Sequence, residues 1–360
     1  MRPLKVDGAR DLGAQFTRNP HRMAGQDGAY SIPLGAGKAL WFFGDTLTGA
    51  RTPRESLWFP GGASLGPGDM SGFGLIEKLC TNTALILDEK SGRDGLRNFQ
   101  YICDASGALK QLILRQPDEP DVIRVWCLHG CAFGNDLYLF YQLVRMLATG
   151  PMPVNFEVVG SGLAFGNSRD WEFQRIYAGN SATWWPADQP QFASAVLPAR
   201  NEDIIYLYGV LRCSDGVQRC YMARVRATDI KCLGKYEYLI TDAPVWSSNP
   251  RDACCIMTGM PNELSVNWNN HLGCYLAVHS LDLTGRIVGR TAPKPWGPWS
   301  EPVDLWRVSP PAWDYPVPYP ALIYAGKEHA ELAEDGGRVL YLTYIEFEEY
   351  FPHLVEVTLG

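Results

Sequence analysis

The chain is poor in basic charge, in long apolar runs and in helical periodicity. Its 32 Lys and Arg stand against 39 Asp and Glu among 360 residues, a formal charge of −7 and a pI near 5.5. There is no basic block and no tract of Arg interleaved with aromatics. A phosphate backbone would meet an acidic surface, which excludes a nucleic-acid role. No apolar run approaches 18 residues, so no membrane partner is expected. The opening Met1-Arg2-Pro3-Leu4-Lys5-Val6-Asp7 lacks the apolar core of a secretory signal. That gives the expectation of a cytoplasmic chain, with export by another route left open.

Other absences narrow the chemistry. No glycine loop is followed by Lys-Ser/Thr, so nucleotide hydrolysis has no support. Gly62-Ala63-Ser64-Leu65-Gly66 fits the G-x-S-x-G pattern, but its flanks, Phe59-Pro60-Gly61 and Pro67-Gly68-Asp69, offer no strand before and no helix after. The ten cysteines are scattered through a long chain rather than arrayed as a disulfide framework, and read as small buried hydrophobes. Cys127-Leu128-His129-Gly130-Cys131 is the most metal-like cluster, and it lacks a fourth ligand.

What is present is turn residues and aromatics: 36 Gly, 26 Pro, 12 Trp and 17 Tyr. A turn followed by an aromatic-rich strand recurs. It appears as Lys38-Ala39-Leu40-Trp41-Phe42-Phe43-Gly44, then at Asp136, Asp203, Gly273 and Arg338. The last four starts are 67, 70 and 65 residues apart. Five units of hairpins at this period predict an all-β, five-bladed β-propeller, one domain over residues 1–360, with the repeated strand second in each blade. A two-domain β-sandwich explains the strands but not their spacing. The first gap is longer, 98 residues, and the six glycines of Gly61–Gly74 suggest an extra loop within it.

Carboxylates are the candidates for chemistry. The segment from Gly25 to Thr46 reads as a hairpin around Gly35-Ala36-Gly37. With a three-residue loop, Asp27 lies opposite Asp45, with Cβ atoms ~4.5–5.5 Å apart. With a two-residue loop, Ala36-Gly37, the register slips by one and Asp45 faces the other side. Directly opposed like charges gain nothing for folding, so the first register points to a site using two carboxylates of unequal proton affinity. Asp45 as a simple turn cap is the competing account.

Gly25-Gln26-Asp27-Gly28-Ala29-Tyr30-Ser31 followed by Trp41-Phe42-Phe43-Gly44-Asp45-Thr46 resembles the opening of the domain-of-unknown-function family 4185. That family is grouped with five-bladed propeller glycoside hydrolases, some of them endo-D-arabinanases. The chain is more weakly similar to glycoside hydrolase family 43. Asn262 to Asn269 and Leu272 to Tyr275 resemble a fourth-blade hairpin of such proteins. Gly297-Pro298-Trp299-Ser300-Glu301-Pro302-Val303 resembles their "GPWS" strand. Glu328-His329-Ala330-Glu331-Leu332 resembles an H-P-E-L turn with Ala330 in place of the Pro.

The resemblance implies a glycoside hydrolase with Asp27 and Asp45 as the acid/base pair, the alternative being a propeller that binds carbohydrate without cleaving it. Glu263, just before an aromatic strand, is a third catalytic candidate. Candidate substrate contacts are Gln26 and Tyr30 beside Asp27, His21 and Arg22 upstream of it, Asp170 and Trp171 after a polar turn, and His329. Trp184-Trp185 and Trp313-Asp314-Tyr315 are aromatic loops of the kind that stack on sugars or pack locally. The partner implied is a carbohydrate. No cofactor is required, with room for a structural calcium ion on the propeller axis, where His329 is the residue placed to hold or orient it.

Overall fold

The repeated aromatic strand becomes the second strand of five successive antiparallel sheets. The computed structural model describes residues 1–62, 75–148, 155–315 and 320–360. The repeats fall on Lys38–Phe43, Asp136–Met146, Ile204–Arg212, Cys274–Leu281 and Val339–Glu346. Each pairs with its own preceding strand: Tyr30–Gly35, Ile123–Phe133, Gln191–Pro198, Leu264–Asn269 and Ile323–Glu328. Two or more further strands complete each sheet. Helix among the described residues is limited to short 3-10 turns.

These strands read as continuous apolar runs because neighbours cover both faces. Along Lys38–Phe43, Ala39, Trp41 and Phe43 pack toward the fifth sheet, against Tyr341 and Leu354. Leu40 and Phe42 pack toward the second sheet, against Val125 and Leu139. In the third sheet Ile205 and Leu207 face the second, while Tyr206, Tyr208 and Val210 face the fourth. In the fifth sheet Leu340, Leu342 and Tyr344 face the fourth. Each sheet thus packs on the next and the fifth on the first. Burying each such side chain stabilises by roughly 1.5–3 kcal/mol.

The first strands line up around the interior. Ile123–Phe133 lies beside Tyr30–Gly35 and Gln191–Pro198, which lies beside Leu264–Asn269, which lies beside Ile323–Glu328. Lys327 and His329 of the last strand's end reach Gly28 and Ser31 of the first. The fifth sheet is completed by the opposite end of the chain: Val6–Ala14 pairs with Pro352–Leu359, outermost in that sheet.

The long first gap supplies two strands, Thr46–Gly49 and Ile76–Cys80, of a separate three-stranded sheet whose third strand, Met23–Gln26, precedes the first repeat. It packs with Leu57, Trp58 and Phe59 against Tyr350. The glycine-rich loop and the G-x-S-x-G match lie, from residue 63 on, outside the described residues. The GPWS segment is not a strand. It runs irregularly through a cis Gly297–Pro298 bond, and the strand begins only at Val303.

Candidate active site

The hairpin register is the one that opposes the two aspartates, reached by an unexpected route. The turn is the two-residue Ala36-Gly37. A bulge between Pro33 and Gly35 then restores Ile32↔Leu40, Ser31↔Trp41 and Tyr30↔Phe42. Beyond the ladder, the Asp27 N–H donates to the Asp45 carbonyl (3.2 Å), and the Gly44 N–H donates to the Asp27 carbonyl (2.9 Å). Asp27 sits in the link between the small sheet and the first sheet, and Asp45 in the return link.

The two carboxyl groups have different surroundings. Asp27 Oδ2 accepts hydrogen bonds from the hydroxyls of Tyr324 (2.8 Å), in the first strand of the fifth sheet, and Tyr350 (3.0 Å), in the turn between two later strands of that sheet. Asp45 Oδ1 accepts one, from the Trp126 indole N–H (3.1 Å) of the second sheet. Burial pushes Asp27 up to about 6, against the pull of the two tyrosines. Burial, and then repulsion by Asp27, pushes Asp45 up to about 8, with Arg124 and the Trp126 bond pulling weakly the other way. Hydrogen bonds to a carboxylate favour its ionised form. The geometry therefore separates one carboxylate from one carboxylic acid near neutral pH.

Glu263 precedes the first strand of the fourth sheet, and its charge is felt by Asp27, Tyr30, Tyr324 and Lys327. Burial raises it, and the Lys327 ammonium is the chief opposing influence. The three candidate carboxylates thus converge on one locus, Asp27 and Asp45 from one hairpin and Glu263 from the edge of the fourth sheet.

The remaining candidates divide. Gln26 is buried beside Asp27, its Oε1 accepting from the Tyr101 hydroxyl (2.9 Å) and its Nε2 without a partner among the described residues. Tyr30 is buried at the same locus, stacked on His129, with its hydroxyl unpartnered among the described residues. His21 packs edge-on to Tyr101 and lies 3.7 Å from Cys103 Sγ. Arg22 points outward and pairs with Glu77 at 2.7 Å. Asp170 and Trp171 lie in the exposed turn after Phe156–Asn167, where Asp170 Oδ1 caps the Glu172 N–H. That turn is bonded to Asn135, at the opposite end of the second sheet's first strand from Trp126.

His329 is fully buried and stacked 4.1 Å from Trp41. Both its ring nitrogens are engaged by hydroxyls, Ser31 Oγ and Thr343 Oγ1, each at 2.7 Å. It therefore has no free lone pair for a cation on the axis, and its chemistry does not fit the calcium ligand expected there. Among the described residues no group of three or more His, Cys, Asp or Glu is spaced to hold a metal ion. His129, in the Cys127–Cys131 segment, is equally occupied: its Nδ1 accepts from the Val196 N–H and its Nε2 meets the Ser31 carbonyl. It ties the first, second and third sheets together. Trp184 and Trp185 are core residues. Asp314 pairs with Arg54 at 3.0 Å.

Sequence reasoning missed Tyr324, Tyr350, Trp126 and Lys327. Their one visible signal is indirect. Glu346, Glu348 and Glu349 crowd the turn that carries Tyr350, and Arg51 caps the carbonyls of Glu348 and Glu349 there. So polar a turn at a strand end indicates a shaped surface.

Comparison with solved structures shows a shared fold at low identity. The chain is similar to a candidate hydrolase from Bacteroides ovatus, with 14% identity, a TM-score of 0.61, and coverage of 95% of this chain and 87% of that one. It is similar to a family 117 glycoside hydrolase from the marine bacterium Zobellia galactanivorans, with 13% identity, a TM-score of 0.51, and coverage of 98% and 90%. The comparison with curated proteins finds no match. The model of one family, described as Domain of unknown function (DUF4185), matches residues 13–356. That span contains Asp27, Asp45, Glu263 and every hydrogen-bond partner described for them, and the chain belongs to the DUF4185 family.

Proposed function

We propose that this protein is a glycoside hydrolase, a single five-bladed propeller over residues 1–360 whose first strands surround a funnel. The observation that carries the reading is the pair of adjacent carboxyl groups with unequal hydrogen bonding. Cleaving a glycosidic bond takes one protonated carboxyl and one ionised carboxylate flanking that bond, and requires no cofactor. Asp45, with a single donor and the higher proton affinity, gives its proton to the leaving-group oxygen as the bond from that oxygen to the anomeric carbon breaks. Asp27, held ionised by Tyr324 and Tyr350, attacks the anomeric carbon or draws a proton from the water that does. Where Asp27 attacks, a water deprotonated by Asp45 then displaces it from the anomeric carbon, which breaks the glycosyl–Asp27 bond and returns the proton to Asp45; where Asp27 activates the water, it releases that proton to solvent and solvent reprotonates Asp45. Glu263 adds negative charge where the oxocarbenium-like transition state carries positive charge.

The fold shared with a family 117 glycoside hydrolase supports a carbohydrate substrate, and the Gln26–Tyr30 motif resemblance supports an arabinofuranosyl-type or related glycan. The test is reducing-sugar release from a panel of furanosidic and pyranosidic glycans. Asp27→Asn and Asp45→Asn should each lower turnover by about 10³-fold or more with folding intact. Binding without release in the wild type would instead identify a carbohydrate-binding propeller. Release that survives both substitutions would sink the assignment of the pair.

A further inference from the structure

Lys327 is 2% exposed, at the inner face of the fifth sheet. Its ammonium donates to the carbonyls of Gly28 and Ala325, the latter at 2.7 Å, and lies 4.7 Å from the centre of the Tyr30 ring. A buried ammonium is costly unless compensated. Pinning one carbonyl does not need a charge, since a neutral donor would serve.

A second cost lies beside it. The strand is irregular between Tyr324 and Lys327, and Ala325 there has φ +58°. That left-handed conformation is strained for a non-glycine residue. The irregularity aims two side chains at adjacent groups: Tyr324 at the Asp27 carboxylate and Lys327 at the Gly28 carbonyl. The groups that face the ammonium come from every surrounding element. They are Asp27 and Tyr30 of the first sheet, Cys127 and His129 of the second, Glu263 of the fourth, and Tyr324 and His329 of its own sheet. Of these, Asp27 and Glu263 are the two carboxyl groups.

We propose that Lys327 is a positioning residue of the candidate active site: it fixes the Gly28–Ala29 peptide, next to Asp27, and supplies the internal counter-charge that lets Asp27 and Glu263 ionise together. Two of its three donors are taken up by backbone carbonyls and the ammonium lies over the Tyr30 ring, so we take its charge to act on the carboxylates rather than on the substrate. This rests on the hydrolase reading for its catalytic meaning, but not for its electrostatic one.

Lys327→Met keeps the length and removes the charge. Two measurements separate the outcomes. The first is the carboxyl titration of Asp27 and Glu263 by ¹³C NMR, which needs no substrate. Both midpoints should rise by about one pH unit in the variant. The second is the pH profile of kcat/KM. Its acid limb should move up by the same amount, with kcat lowered about 10- to 100-fold and KM nearly unchanged. Unshifted carboxyl midpoints in Lys327→Met would overturn the proposal. So would a kcat loss with an unshifted acid limb, which marks a purely structural role. If no glycan is cleaved, the hydrolase reading fails while the NMR result still decides the counter-charge. Should Lys327→Met not fold, ¹⁵N titration of wild-type Lys327 substitutes. Its midpoint should fall when Glu263→Gln removes the neighbouring carboxylate, which raises Lys327 against the lowering by burial; an unchanged midpoint would overturn the counter-charge.

Discussion

Gly44 leaves room for Asp27. A Cβ built on Gly44 would lie 2.5 Å from Asp27 Oδ1 and 3.7 Å from Cys127 Sγ. The close approach of the two links, and not a backbone conformation, requires glycine at this point. Gly44→Ala therefore has to rotate the Asp27 carboxyl away from Tyr324 and Tyr350. Turnover should fall about 10- to 100-fold with little change in melting temperature, measured by kinetics beside thermal unfolding. A variant with full activity would show that Asp27 does not need its observed orientation.

The pH dependence of kcat/KM should be bell-shaped, with limbs near pH 6 and pH 8, set by ionised Asp27 and protonated Asp45. The tyrosines stabilise the ionised form of Asp27, so Tyr324→Phe and Tyr350→Phe should each move the acid limb upward by about half a unit to one unit. The alkaline limb should stay in place. A downward shift of the acid limb would reverse the assignment of acid and base.

Asp45 makes the fold pay for function above neutral pH. Its folded-state pKa is raised from 3.8 to about 8. The native state therefore binds more protons than the unfolded state across that window, and stability contributed at Asp45 falls as pH rises through it. Asp45→Asn keeps the oxygen that accepts from Trp126 and removes the charge. Its melting temperature should exceed that of the wild type by about 2–5 °C at pH 8.5, the gain shrinking to nothing by pH 4. A variant less stable at pH 8.5 would contradict this.

His353 works in the opposite direction. It lies between Glu349 (2.7 Å) and Asp11 (3.4 Å), and these partners outweigh burial to raise its pKa from 6.5 to about 9. A raised histidine gives stability that is complete below the unfolded value of 6.5 and is lost as pH climbs through 9. His353→Gln should therefore be less stable than the wild type at pH 6 and indistinguishable from it at pH 10, by thermal melts across the range. A pH-independent difference would mean that packing against Tyr344, and not charge, is what His353 contributes.

The strands were legible because period-two burial between two neighbouring sheets writes itself into a run such as Ala39 to Phe43. The aspartate pair was legible because both members sit on one hairpin, whose register follows from local turn chemistry. The bulge at Pro33–Gly35 shows how narrow that margin was: without it the two-residue turn would have separated Asp27 from Asp45. The tyrosines and Lys327 carry no such local mark. They reach the site through an irregular strand at Ala325 and a turn at Glu346–Tyr350, and their meaning exists only once the fifth sheet lies against the first. His329 stood out as a lone histidine, yet its two hydroxyl partners and the face of Trp41 are long-range contacts that no spacing announces. Asp170 and Trp171 lie at the other end of the second sheet from Trp126, a placement the sequence could not supply because a polar turn looks the same at either end of a sheet.

The pairing of Val6–Ala14 with Pro352–Leu359 sets a schedule as well as a shape. Asp27 leaves the ribosome early, and Tyr324 and Tyr350 follow 297 and 323 residues later. At about 5–20 residues per second, the nascent aspartate waits roughly 15–65 s for the groups that define it. Through that interval the first strand of the chain has no partner, and an exposed edge is a template for pairing with another molecule. The charged and polar run Val6-Asp7-Gly8-Ala9-Arg10-Asp11 suits a strand that stays unpaired until Pro352–Leu359 has been made.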